Sequence, residues 1–234
     1  SSPNGAITSD DFIGHYEDYD HDGDGIWREW HYTYPKGHLR RHLGTADEAP
    51  FVATWFTEWI PDQDEPMAVA ARIRDERGIY YMTAAVEGLE LDRSQHSDRL
   101  YKPYNVPAGW VSRAGRAVGT NVFVPTVSGM IEARAELTTW SGLHAEAINL
   151  NRTMIAPRVG QDHNYAHNTI DIPLKVVRAG TNRFSTFSST LHHGIEVMWP
   201  GIALLARFSE PVPPLVTAHE DLSIFADELT WEAV

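Results

Sequence analysis

The chain contains no cysteine, which excludes disulfide staples, thiolate metal ligation and thiol nucleophiles. Lysine is scarce, occurring only at Lys36, Lys102 and Lys175. No apolar run approaches the roughly 18 residues that a membrane-crossing helix needs. An excess of positive charge is also missing. The formal net charge of -13 argues against nucleic acid and against docking on anionic lipid, since both demand a basic surface. There is no Gly-x-Ser-x-Gly elbow, no glycine-rich phosphate cradle and no long stretch with 3.6-residue periodicity. Ser1-Ser2-Pro3-Asn4-Gly5 reads as a mature or trimmed N-terminus, and no signal peptide is recognisable.

What is present suits an ordinary folded protein. With 234 residues and 42% hydrophobic composition, the chain can build one large core or two smaller ones. Its most distinctive segment runs from Asp18 to Glu29. Asp18, Asp20, Asp22 and Asp24 occupy the first, third, fifth and seventh places of a twelve-residue window; Gly23 is sixth and Glu29 last. That is the ligand order of a calcium loop, with carboxylate oxygens wrapping the ion and a glutamate able to close bidentately. Without a cation, so many carboxylates would repel one another strongly. Gly25 stands where helical calcium hands carry an apolar residue, and alternating aromatics follow, so the expectation is a structural loop on a β-scaffold. An ion site of this kind also favours an extracellular location, where calcium is abundant.

The dominant pattern is β. Residues 26–34 alternate, with Trp30, Tyr32 and Tyr34 on one face. Residues 51–60 repeat the pattern with Phe51, Ala53, Trp55 and Trp59. Met67 to Arg74, the turn Asp75-Glu76-Arg77-Gly78 and Ile79 to Met82 predict a hairpin, and Ile131 to Leu137 predicts a further strand. Glycine and proline punctuate the chain at short intervals, as in sandwiches of short strands.

Two resemblances refine this reading. Trp55-Phe56-Thr57-Glu58-Trp59-Ile60-Pro61-Asp62-Gln63, followed by Val69 to Gly78, resembles the second half of bacterial extracellular immunoglobulin-like modules. Three later pieces resemble galactose-binding-like jelly rolls: Ala135 to Trp140, Ala147 to Asn151, and Ile172-Pro173-Leu174 running into Ala179 to Phe184. In the last piece Gly180 suits a positive-φ turn and Asn182 can bond its own backbone. His193 to Gly201 and Ala203 to Phe208 would be the closing strands. The expected fold is all-β, two β-sandwiches without substantial helix. An immunoglobulin-like sandwich with the calcium loop would span residues 1–93, a jelly roll 94–210, and a linker or surface strap 211–234.

Several residues are candidates for chemistry. His163 and His167 lie four apart, and His192-His193 follows on a later strand, so a three-histidine zinc or copper site is conceivable if the strands neighbour each other. Alternatively His163 and Tyr165, with His192, could serve a polysaccharide β-elimination in which Arg158 neutralises a uronate. Ordinary hydrogen-bonding histidines are the plainer interpretation. Among the aromatics, Trp110 and Trp140 sit beside Gly109 and Gly142 in turn-like contexts and are candidate sugar platforms together with Tyr165. Paired carboxylates such as Glu132 with Glu136, or Glu58 with Asp62, are read as solvated surface. Asn151-Arg152-Thr153 matches a glycosylation sequon at the level of chance.

The resemblance to the jelly rolls implies a secreted, non-catalytic carbohydrate-recognition or accessory protein, stabilised by calcium and partnered by a polysaccharide or glycan. Two alternatives stand beside it. One is a polysaccharide lyase or hydrolase working through the His163, Tyr165 and His192 region. The other is a subunit of an extracellular filament or surface lattice that self-associates through strand edges.

Overall fold

The computed structural model describes residues 5–19 and 42–211. Asp20, Asp22, Asp24 and Glu29 of the calcium loop, the strand expected at 26–34 and most of the 211–234 strap lie outside the described residues. The regular structure among the described residues is almost wholly antiparallel strand, as the alternating patterns imply. No helix is long and apolar enough to cross a membrane.

The first sheet contains β1 (Ile7–His15), β2 (His42–Ala46), β3 (Met67–Asp75), β4 (Tyr80–Met82) and β5 (Val86–Leu89), in the order β2-β1-β3-β4 with β5 also pairing β3. The predicted hairpin is β3 to β4. Its turn is organised by the Asp75 carboxylate, which accepts from the backbone N–H of Arg77 and of Ile79, both at 3.0 Å. The Arg77 guanidinium and the Tyr81 hydroxyl also donate to it. Gly78 supplies the left-handed φ of 78° that closes the turn. The core beneath is small: Tyr16, Ile60 and Met67, backed by Leu43, Trp55, Leu89 and Leu91.

Residues 51–60 correct an expectation. They alternate between half-buried and exposed positions as a strand would, yet they join no ladder. The period of two reports an extended chain with one face on the protein, and that needs no hydrogen-bonded neighbour. This segment is held by side chains instead. Arg93 donates to Ile60 O at 2.5 Å and to Thr57 O, while Arg207 donates to Glu58 O at 2.5 Å. Two guanidiniums stand over the Trp59 ring, with Arg134 Cζ 3.7 Å and Arg207 Cζ 3.9 Å from its centroid.

The remaining strands form two facing five-stranded sheets. They are β6 (Ser97–Tyr101), β7 (Pro103–Tyr104), β8 (Val111–Ser112), β9 (Arg116–Val124), β10 (Met130–Trp140), β11 (Ala147–Leu150), β12 (Thr153–Ala156), β13 (Tyr165–Asp171), β14 (Gly180–Ser188) and β15 (Ile195–Phe208). One sheet has the order β13-β10-β15-β6 with β8 on β15; the other has β12-β11-β14-β9-β7. Val122, Val124, Ala135, Leu137, Ile148, Leu150, Phe184, Ile202, Leu204 and Phe208 interdigitate between them. Asn182 behaves as its turn context implies. Fully buried, it donates to Arg178 O and Gly180 O and accepts from the Arg178 N–H and the Asn151 side chain. The Asn151 amide, which also donates to Val176 O, is thereby committed to the interior and is no free glycan acceptor.

The closing strands are one strand. β15 runs continuously from Ile195 to Phe208, with an irregularity where two strands were expected to divide. Leu137 pairs with Ile202 and Thr139 with Val197, which leaves the four residues Met198, Trp199, Pro200 and Gly201 opposite Thr138 alone. Tyr19, only 2% exposed, fills the gap in the ladder. Its hydroxyl accepts from the Thr138 N–H at 3.1 Å and donates to Gly201 O at 2.6 Å. Asp98 makes a second fixed point. Wholly buried, it accepts from Arg207 Nε at 2.8 Å and from Arg93 Nη1 at 3.0 Å. The same two arginines hold residues 57–60, so the first part of the chain is tied to the outer side of β10, β15 and β6.

Candidate functional site

Three connections converge where β10 ends and where β13 and β15 begin. The strand order β13-β10-β15 makes this unavoidable, because Trp140 is paired with Tyr165 on one side and with Glu196 on the other. After Trp140 the chain turns sharply through Ser141, whose φ of 53° is left-handed, and enters a single 3-10 turn at Gly142–His144. Residues 157–164 lead into β13 and residues 189–194 into β15.

Ser141 ties two of these connections together. Fully buried, it accepts from the His163 N–H through Oγ at 3.0 Å and from the His144 N–H through its carbonyl at 3.0 Å, while its own N–H donates to Asn164 O at 3.2 Å. Two glycines allow the close approach. A Cβ on Gly142 would stand 2.4 Å from Val159 O, and one on Gly194 would stand 2.1 Å from Ser112 O. Only glycine fits at either place without moving backbone.

The result is a cluster of three imidazoles and a carboxylate. The His163 and His193 ring centroids are 4.4 Å apart, those of His144 and His163 5.5 Å, and those of His144 and His193 5.6 Å. Asp162 Oδ1 lies 2.7 Å from His144 Nε2 and 2.5 Å from His163 Nδ1. The hydrogen bond from His144 holds the Asp162 carboxyl below the ordinary carboxylate range against the upward push of desolvation, and both imidazoles add to the lowering. His144, Asp162 and His163 have ligand-capable atoms that all lie within 4.8 Å of one another.

Beside this cluster runs a polar face. On β10 and β13 the outward positions pair as Trp140 with Tyr165, Thr138 with His167, Glu136 with Thr169 and Arg134 with Asp171. Trp140 and Tyr165 are half-buried. The rings of His163 and Trp140 meet at a right angle with centroids 5.6 Å apart, so the polar face and the imidazole cluster are continuous. Farther along, Glu136 takes hydrogen bonds from His167 Nε2 at 2.7 Å and from Thr169 at 3.3 Å.

His163 and His193 thus come together, with His193 rather than His192 turned into the cluster. His167 does not join them; its partners are Glu136, Thr138 and the ring of Tyr19 at 5.3 Å. The left-handed φ of 46° at His163 takes that residue out of strand register, so a spacing of four no longer means one face. Arg158 is exposed in the loop before β13. Trp110, expected as a sugar platform, is a core residue. It is 4% exposed, and its indole N–H donates to Thr186 Oγ1 at 2.7 Å, so neither ring face is open to a ligand. Asp18 is the one loop carboxylate among the described residues, and its Oδ1 accepts from the Tyr19 N–H at 2.7 Å. His144 and Asp162 were missed in the sequence. Their signals are slight, an acid directly before His163 and a histidine three residues after a Ser.

No family model matches the chain, and no curated protein does. Among solved structures, a β-porphyranase of glycoside hydrolase family 86 from the human gut bacterium Bacteroides plebeius is similar at a TM-score of 0.38 and 11% identity, over 64% of this chain and 36% of that one. BuGH86, crystallised with neoagarooctaose, is similar at a TM-score of 0.37 and 12% identity, over 91% of this chain and 29% of that one. The chain therefore spans about a third of the length of these proteins.

Proposed function

We propose that the chain is an extracellular carbohydrate-recognition protein whose ligand lies along the outer positions of β10 and β13. The observation that carries this reading is the cross-strand pair Trp140 and Tyr165, part-exposed, heading a row of hydrogen-bonding side chains on the same face. A saccharide has apolar C–H faces and a rim of hydroxyls. An aromatic pair followed by the exposed His167 and Thr169 of β13 offers both kinds of contact. On this reading the first sheet belongs to an immunoglobulin-like module, the two facing sheets to a jelly roll, and the Asp18 to Glu29 loop holds a structural calcium ion.

The test is affinity electrophoresis of the intact chain through gels containing neutral and acidic polysaccharides. Retardation by at least one glycan is expected, and W140A or Y165A should weaken it by about tenfold or more, a loss of roughly 1.4 kcal/mol. Retention unchanged in both variants would sink the assignment. For the calcium ion, chelation should lower the melting temperature, because a ligand of the folded state alone stabilises it by mass action. An identical melting curve with and without chelator removes the ion from the proposal.

One observation favours catalysis as a second reading. His163 stands between Trp140 and His193, next to where a sugar would stack, and is placed to exchange a proton with it. Release of an unsaturated product or of new reducing ends from the retained glycan supports a lyase or a hydrolase respectively. Binding without either supports the module.

A further inference from the structure

We propose that His144, Asp162, His163 and His193 form a binding site for a divalent transition-metal ion of the zinc class. Asp162 Oδ1 faces His144 Nε2 and His163 Nδ1 at once, at 2.7 and 2.5 Å. In the metal-free form the carboxylate oxygen accepts from His144 Nε2 and lies close to His163 Nδ1. A cation takes the place of these contacts: each neutral imidazole keeps its one proton on the ring nitrogen that faces away, and the two nitrogen lone pairs and the carboxylate then point at one centre.

The donor set selects the class of ion. Calcium and magnesium take oxygen ligands throughout, and copper(I) prefers thiolate or thioether sulfur, which the cluster lacks. Imidazole nitrogen with one carboxylate oxygen suits zinc, at bond lengths of about 2.0–2.2 Å. Tetrahedral bonds of that length place donors about 3.3 Å apart. The three donor atoms all lie within 4.8 Å of one another, and the oxygen has to draw back from the two nitrogens by less than an ångström to reach that spacing. Asp162 and His163 have that freedom, with side chains 56% and 48% exposed. His193, whose ring lies 4.4 Å from that of His163, supplies the fourth position by a rotation of its side chain.

The scaffold behind the donors is rigid. Ser141 fixes the backbone N–H of both His144 and His163, and Gly142 and Gly194 press their loops against neighbouring backbone. A surface pair of imidazoles hydrogen-bonded to a carboxylate needs none of this support. A metal site does, because its ligands must converge before the ion arrives.

The test uses the intact chain, freed of metal by dialysis and titrated with zinc ion in a calorimeter. Cobalt(II) serves as a second probe through its intense visible absorption in tetrahedral nitrogen and oxygen coordination. One zinc per chain is expected at micromolar affinity or tighter, undisturbed by millimolar calcium. The variants D162A and H163A should each lose at least thirtyfold in affinity, H193A about tenfold, and H192A nothing. Melting curves of the metal-free variants should match that of the parent, since Asp162, His163 and His193 are exposed. Absence of saturable zinc binding would overturn the proposal, as would binding that survives D162A and H163A together. Loss in H192A with H193A intact would overturn the ligand set. Glycan retention in the metal-free protein reports separately on the proposed function, so either assignment can fail without the other.

Discussion

Replacing Tyr19 by Phe removes one oxygen and should cost the protein a large share of its stability. That hydroxyl bridges two main-chain groups at the break in the β10–β15 ladder: it accepts from the Thr138 N–H and donates to the Gly201 carbonyl. Phe keeps the ring, and with it the contact to His167 at 5.3 Å, so the variant isolates the hydroxyl. Leaving a buried donor or acceptor unpaired costs about 1–3 kcal/mol. The N–H, with a single hydrogen to place, bears the upper part of that range; the carbonyl, with two lone pairs, bears the lower. The expected loss is about 3 kcal/mol, or roughly 6–12 °C in melting temperature for a chain of this size. Urea unfolding followed by tryptophan fluorescence measures it, and the slope m should be unchanged because the surface exposed on unfolding is the same. If the two parts of the chain unfold in separate transitions, both should shift, since Tyr19 belongs to one part and its partners to the other. A fall below about 2 °C would refute the reasoning, for it would mean that water or a ladder adjustment satisfies both groups at no cost.

Three further outcomes are expected. D98N keeps the shape of a fully buried side chain but removes the charge opposing Arg93 and Arg207; it should destabilise the fold by about 3–5 kcal/mol, and a loss under 1 kcal/mol by urea unfolding would show the arginines to be solvated. Burial would raise the Asp75 carboxyl, but the hydrogen bonds from Arg77, Ile79 and Tyr81 outweigh it and hold the group down at about 2 against an ordinary 3.8. A lowered carboxylate contributes fully above its unfolded value and loses that contribution as pH falls through its folded one, so the gap between parent and D75N urea midpoints should narrow between pH 3.8 and about 2, and a constant gap contradicts the turn's electrostatics. G194A places a Cβ 2.1 Å from Ser112 O, where backbone must move; a loss of about 1–3 kcal/mol is expected, and a neutral result would show that the loop before β15 yields freely.

The strands were the legible part of this molecule, and the reason is visible at β3, β10 and β14. β14 alternates buried and less buried side chains through its nine residues, β3 and β10 turn apolar side chains to the core along their length, and the bounding turn residues Gly78 and Gly180 need a φ that other residues resist. Residues 51–60 carry the same period without a ladder, because alternation records which face meets the protein, whereas pairing depends on what chain lies alongside. The closing segment shows the converse. Pro200 and Gly201 look like a break between strands, but Tyr19, 182 residues distant from Gly201, completes the hydrogen bonds the break leaves open. No local pattern could report that.

The imidazole cluster belongs to the same class of hidden feature. His163 and His193 stand 30 residues apart and become neighbours only because β10 separates β13 from β15 and ends where both begin. His144 and Asp162 enter through connections whose lengths and glycines are unremarkable in the sequence. His167, by contrast, satisfied the expected spacing and went elsewhere, because a left-handed residue at His163 breaks the register that the spacing assumed. Spacing is a guide to ligands only when one element carries them all. When three connections share a site, the strand order decides which side chains meet, and the glycines that let those connections touch are the better guide to where to look.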